Sequence, residues 1–195
     1  MHPAAAPVLY VRFYQNDANA GQMNFMENKP NSYKVGDAIV TRIFETLIAG
    51  FTPRELCPTW NEQNPERLAD LLPSACWDKP YQHVVMSTHR WLVRTTKHNV
   101  LIDTGIGNHK NRKPPYFNNL KEPFLERLAA SGVKPEDIDY VLLTHLHTDH
   151  VGWNTIRKDG RWAPTFPKAQ YVFSKVEETL FFRSRRPGTA KLCRI

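Results

Sequence analysis

Between Thr144 and Gly152 the chain reads THLHTDHVG, which sets three of its eight histidines and one aspartate within six residues. His145 and His147 stand two apart, so in an extended segment both rings project to the same side. Asp149 and His150 follow where the chain turns. Neutral imidazole and carboxylate are donors suited to zinc, iron or manganese, and no thiolate competes with them here. The stretch therefore reads as a metal site in which His145, His147, Asp149 and His150 converge on one spot. With two metals about 3.5 to 4 Å apart, His145 and His147 would hold one while Asp149 and His150 hold the other. The alternative is a polar surface turn that happens to contain histidines, and H-x-H-x-D-H directly after an apolar strand is hard to reach by accident.

The elements around the cluster must deliver it. Asp139 to Thr144 (DYVLLT) is a short apolar run, read as a buried strand ending at the histidines. Upstream, VVMSTHRWLVRT and NVLIDTG flank Lys97 and His98, the pattern of a hairpin leading into Gly105. Phe117 to Ser131 carries Leu120, Phe124, Leu125 and Leu128 at helical spacing, with Gly132 as its C-cap. Strand, helix, strand and then a polar cluster at the strand's carboxy-terminal end is an α/β pattern, with the chemistry where such sheets place it. Asp37 to Ile48 (DAIVTRIFETLI) is rich in β-branched residues and predicts a further strand. Residues 1 to 32 are polar and turn-rich and read as an extended arm, leaving 33 to 195 as a single domain. Residues 50 to 82 are proline-rich, a loop-like excursion with one short helix expected near Glu66 to Leu72.

Composition bounds the rest. The 195 residues suffice for one domain, are 41% hydrophobic and 23% charged, and contain no apolar run of the roughly 18 residues a membrane span requires. The first residues show neither a secretory signal nor an Arg-rich transit peptide, so a cytoplasmic location is the expectation. Cys57, Cys76 and Cys193 form no C-x-x-C pair and read as free thiols. A net charge of +7 raises the question of nucleic acid, but Lys and Arg are scattered among Asp and Glu except at Arg183 to Arg186. Nucleic-acid binding is therefore not expected.

His145-Leu146-His147-Thr148-Asp149-His150 resembles the H-x-H-x-D-H hallmark of the metallo-β-lactamase superfamily. Asp103-Thr104-Gly105 matches the family's D-T-G segment, and PEDIDYVLLTH fits its entry into the metal loop. Within the superfamily the chain looks most like bacterial hydrolases related to quorum-quenching lactonases and methyl parathion hydrolase. The resemblance implies an αβ/βα sandwich, of which about Asp37 to Glu178 corresponds to the amino-terminal half. It implies a zinc site, two ions in the intact family with iron or manganese as alternatives, and Asp103 behind the ligands steadying the metal loop. It further implies that a metal-activated hydroxide attacks a carbonyl or phosphoryl centre. Asp149 would orient that nucleophile and help move a proton, so no serine or cysteine nucleophile is needed. Trp91 and Trp153 are candidates for lining an acyl pocket, or simply for the core.

The family also supplies a third histidine, a bridging aspartate and a last histidine from its carboxy-terminal half, whereas no histidine follows His150 here. The chain is therefore expected to represent about half of the fold, with an exposed sheet face and a tendency to pair, homodimers included. The leading function is a zinc-dependent hydrolase of a small-molecule ester, lactone or related bond. A nuclease of the same superfamily and an inactive remnant or interaction module are the alternatives.

Overall fold

The computed structural model describes residues 32–60, 76–78 and 82–183. The extended arm at residues 1–31, the helix expected near Glu66 to Leu72 and the basic residues after Arg183 lie outside them. The described residues group into two compact units, one of 32–45, 89–112 and 117–183 and one of 46–60, 76–78, 82–88 and 113–116.

Strands β1 (Ser32–Val35) and β2 (Ala38–Phe51) form an antiparallel hairpin in register Val35↔Ala38. Gly36 turns it at φ 60°, a left-handed value that costs glycine nothing. β1 was not foreseen, since the strand signal begins only after the turn. A short helix, α1 (Pro53–Leu56), follows β2, with Thr52 and Glu55 capping each other's backbone amides. β3 (Trp77–Asp78) pairs antiparallel with β4 (His83–Arg94). The expected hairpin then appears as β4 against β5 (Asn99–Ile102), in register Arg94↔Asn99.

From β5 the chain crosses through α2 (Phe124–Ala130) to β6 (Tyr140–Leu142), which runs parallel to β5. The helix is shorter than the expected Phe117 to Ser131. Pro123 takes the N-cap position, and proline biases the residue before it away from helical backbone. Leu120 instead bridges to Asn108 in the preceding loop. After the histidine segment come β7 (Thr155–Lys158) and β8 (Arg161–Pro164), a separate antiparallel hairpin. β9 (Gln170–Val172) adds a second parallel partner to β6, and α3 (Lys175–Arg183) closes the described chain. The large sheet is thus mixed, in the order β1-β2-β4-β5-β6-β9 with β3 paired to β4.

Parallel strands need helical crossovers, and both faces of such a sheet seek cover. One face obtains it: Leu92, Leu101, Val141 and Leu143 are buried with Phe124 and Leu128 of α2, Val133, Ile138, Trp153 and Phe166. Trp153 stacks on Phe124 with centroids 5.2 Å apart, a core role. Leu142 and Val172, register partners on the opposite face, are exposed at 37% and 47%. The bare face expected from sequence is present there but not throughout, because along β4 Val84 and Val93 are half-buried and Val85 and Leu92 buried. Among the described residues no helix is long and apolar enough to cross a membrane.

Candidate metal centre

The histidine segment leaves the carboxy-terminal end of β6, beside the end of its parallel neighbour β5, where Asp103 begins the next loop. Asp103 has a φ of 58°, a left-handed conformation that aspartate tolerates better than most residues. Its backbone amide donates to the Leu142 carbonyl at 2.8 Å, extending the strand pairing by one step. Its buried carboxylate then faces the histidine segment. The Thr144 amide donates to Oδ1 at 2.8 Å, the Thr144 hydroxyl donates to Oδ2 at 2.8 Å, and His150 Nδ1 lies 2.8 Å from Oδ2.

These contacts assign protons. The Thr144 hydroxyl spends its hydrogen on Asp103, so at His145 Nδ1, 3.0 Å away, it accepts. His150 Nδ1 likewise donates to the carboxylate. Both rings are left with Nε2 as the nitrogen that can bind a metal, and a carboxylate behind a ligating histidine fixes its ring and raises its basicity. The rings themselves cluster, with centroids 3.9 Å apart for His145 and His150 and 4.7 Å for His145 and His147. Asp149 Oδ2 stands 3.5 Å from His150 Nε2. The donor chemistry therefore fits zinc. The assembly stops short of a cage, however: among the described residues no three of His, Cys, Asp or Glu are gathered closely enough to hold an ion as they stand. The four residues expected to converge share one turn, three rings together and Asp149 against the third.

The turn is braced by backbone. Thr104 donates its amide to the His150 carbonyl at 2.7 Å, Trp153 returns an amide to the Thr104 carbonyl at 2.8 Å, and Gly152 donates to the Gly105 carbonyl at 2.6 Å. A side chain at Gly107 would meet Gly152 carbonyl carbon at 2.6 Å, and one at Gly152 would overlap the Ile106 carbonyl. The two loops meet backbone to backbone, which is why both are glycine-bearing. From α3, Glu177 accepts the Leu146 amide at 3.0 Å and Phe181 packs edge-on to His147. Thr144 and Glu177 were not singled out by sequence; the position of Thr144 directly before the first histidine was the available signal.

Two cations stand in the loop that follows Gly107. Lys110 donates to the Thr155 carbonyl at 2.9 Å and hydroxyl at 2.6 Å and lies 3.7 Å above the Trp162 ring. Burial, with the charge of Arg112 second, pulls its pKa down to about 8. Arg112 is also lowered by burial, an effect opposed by the charges of Asp149 and Glu45.

Residues 85–190 match the model of the metallo-β-lactamase superfamily. The chain is 36% identical to N-acyl homoserine lactonase AiiB of Agrobacterium fabrum in an alignment covering 32% of this chain and 26% of that protein. Among solved structures it is similar to the dizinc quorum-quenching lactonase AidC (22% identity, TM-score 0.60) and to the hydrolase AbOPH (28% identity, TM-score 0.52). Each of these alignments covers 77% of this chain and 46% of that one. A probable metal-dependent hydrolase from Staphylococcus aureus aligns with a TM-score of 0.53 at 25% identity, covering 78% of this chain and 52% of its own. The chain thus spans about half the length of the solved structures it resembles. With the matched region entering in β4 and running through the histidine turn and α3, the chain belongs to the metallo-β-lactamase superfamily.

Proposed function

We propose that this protein is a zinc-dependent hydrolase of small-molecule esters or lactones, working in the cytoplasm, with His145, His147, Asp149 and His150 as metal ligands. The observation that carries the reading is the Asp103 carboxylate, which holds both Thr144 and His150 Nδ1 and so presents imidazole Nε2 atoms from one turn. Bound zinc would supply Lewis acidity, polarising the substrate oxygen and acidifying water. The chain's own residues do the rest. Asp149 accepts and passes on the proton that leaves the nucleophile, while Asp103 fixes the His150 ring and Thr144 fixes His145. The similarity to two lactonases supports the substrate class. The nuclease alternative rests on the +7 charge and the shared H-x-H-x-D-H, and no further described feature favours it.

With two chain ligands per ion, zinc should be held loosely, since tight sites use three or four. Metal analysis after mild dialysis should find less than one equivalent, and titration with zinc should restore binding. Zinc-stimulated hydrolysis of an N-acyl lactone and an aryl ester should disappear in His147→Ala and Asp149→Ala. Asp103→Asn should weaken zinc by about ten- to a hundredfold, the usual loss when a histidine's supporting carboxylate is removed. Absence of zinc binding by the unsubstituted chain would end this reading.

A further inference from the structure

Glu45 is fully buried in the middle of β2 and belongs to none of the motifs that mark the metal turn. A carboxylate removed from water is costly unless it is paired and fully hydrogen-bonded. Here four groups converge on it, all of them donors. Oε1 accepts the Ile106 amide at 3.0 Å, the Gly107 amide at 2.9 Å and the Trp153 indole N–H at 2.8 Å. Oε2 receives Arg90 Nη2 at 3.3 Å. The carboxylate occupies the space a side chain at Gly105 would need, so the glycine after Asp103-Thr104 is what admits it.

Arg90 carries the contact onward. The same Nη2 donates to the Asp149 carbonyl at 2.6 Å, and Nη1 donates to the His89 carbonyl at 2.7 Å. A guanidinium is a rigid planar fork, so fixing it at Glu45 and His89 fixes where it meets Asp149. Glu45 thus anchors three pieces at once: the loop that follows Asp103, Trp153 at the end of the histidine turn, and through Arg90 the backbone of Asp149. Nothing in stability alone calls for a charge here, because apolar replacements of buried ion pairs are often neutral or stabilising.

We infer that Glu45 is a positioning residue, which sets the placement of Asp149 and His150 through Arg90 and the Ile106 and Gly107 amides. Its link to catalysis rests on the proposed metal hydrolase; the clamp itself does not. Glutamine has the same shape but brings an N–H pair into a ring of donors, so Glu45→Gln should release the turn without emptying the core.

The test compares amide hydrogen exchange and zinc affinity in the unsubstituted full chain, Glu45→Gln, Arg90→Lys and Val133→Ala, the last a buried core control that makes none of these hydrogen bonds. In Glu45→Gln, exchange at Ile106, Gly107, His150 and Trp153 should accelerate by on the order of tenfold or more relative to Leu101 and Val141. Zinc affinity should fall by about ten- to a hundredfold. Arg90→Lys keeps a cation for Glu45 but cannot reach all three acceptors, so it should free His150 while Ile106 and Gly107 stay protected. Val133→Ala should lower the melting temperature and leave zinc affinity unchanged. If Glu45→Gln cannot be obtained folded, Arg90→Lys decides. Unchanged His150 exchange in either variant, or a loss of zinc affinity in Val133→Ala as large as in Glu45→Gln, would overturn the inference. An unsubstituted chain that binds no zinc removes the metal reading and leaves the exchange comparison to judge the clamp.

Discussion

Lys110 shows how closely the loop after Gly107 packs against β7 and β8. Its ammonium is half-buried between Thr155 and the Trp162 ring and has its pKa drawn down to about 8. In the unfolded chain the same lysine titrates near 10.4. Below about pH 8 it is protonated in both states, and the folded state bears the whole cost of burying the charge. As pH rises from 8 toward 10 the folded chain gives up the proton first, so this group's penalty fades and its contribution to stability increases. Urea melts at pH 7.5 and 9.5 should show the unsubstituted chain gaining on Lys110→Met over that interval. Parallel behaviour of the two would mean that the ammonium remains hydrated.

At the scale of elements, the site depends on two loops that touch through backbone. Gly152→Ala would drive a methyl into the Ile106 carbonyl. Overpacking of this kind costs about 1–3 kcal/mol, and the variant should melt at lower temperature with faster exchange at Trp153 while β7 and β8 keep their structure. Sequence pattern exposed most of this layer. The hairpin around Lys97 and the buried strand before the histidines stand where apolar periodicity and turn residues put them, because each is a local signal, and the D-T-G turn stands where the family resemblance puts it. The β7–β8 hairpin went unread although Asp159-Gly160 sits at its turn with both φ values positive, the usual two-residue connection. Helix α2 was read too long because its apolar spacing continues back across Pro123. Glu45 was illegible for a different reason. Alternation in β2 places it on the buried face with Thr41 and Ile43, yet its four partners lie between 45 and 108 residues away, beyond any local pattern. His145, His147, Asp149, His150 and Asp103 were legible as chemistry, but which nitrogen His145 and His150 offer follows only from Thr144 and Asp103 in three dimensions.

For the molecule as a whole, apolar side chains at the β6–β9 end of the sheet remain in water. Leu142, Val172, Phe173, Val176 and Leu180 are all exposed, several by about half their surface. Patches of this kind drive association in soluble proteins. Light scattering should therefore report concentration-dependent self-association of the purified chain. The double substitution Leu142→Glu with Val172→Glu, which places charges on two register partners, should reduce it without lowering the cooperativity of thermal unfolding. Equal scattering by both proteins would show that this end of the sheet is not what makes the chain adhere.

The reach of Glu45 has a consequence for how the protein is made. Its carboxylate leaves the ribosome 108 residues before the indole that will bond to it. At about 5–20 residues per second, that is an interval of roughly 5 to 20 s. During it Arg90, Ile106 and Gly107 are made first, 45 to 62 residues after Glu45, so the carboxylate gains three of its four donors before the indole exists. The donor set around this carboxylate is therefore complete only once Trp153 has been synthesised, so the histidine turn and its anchor are finished together.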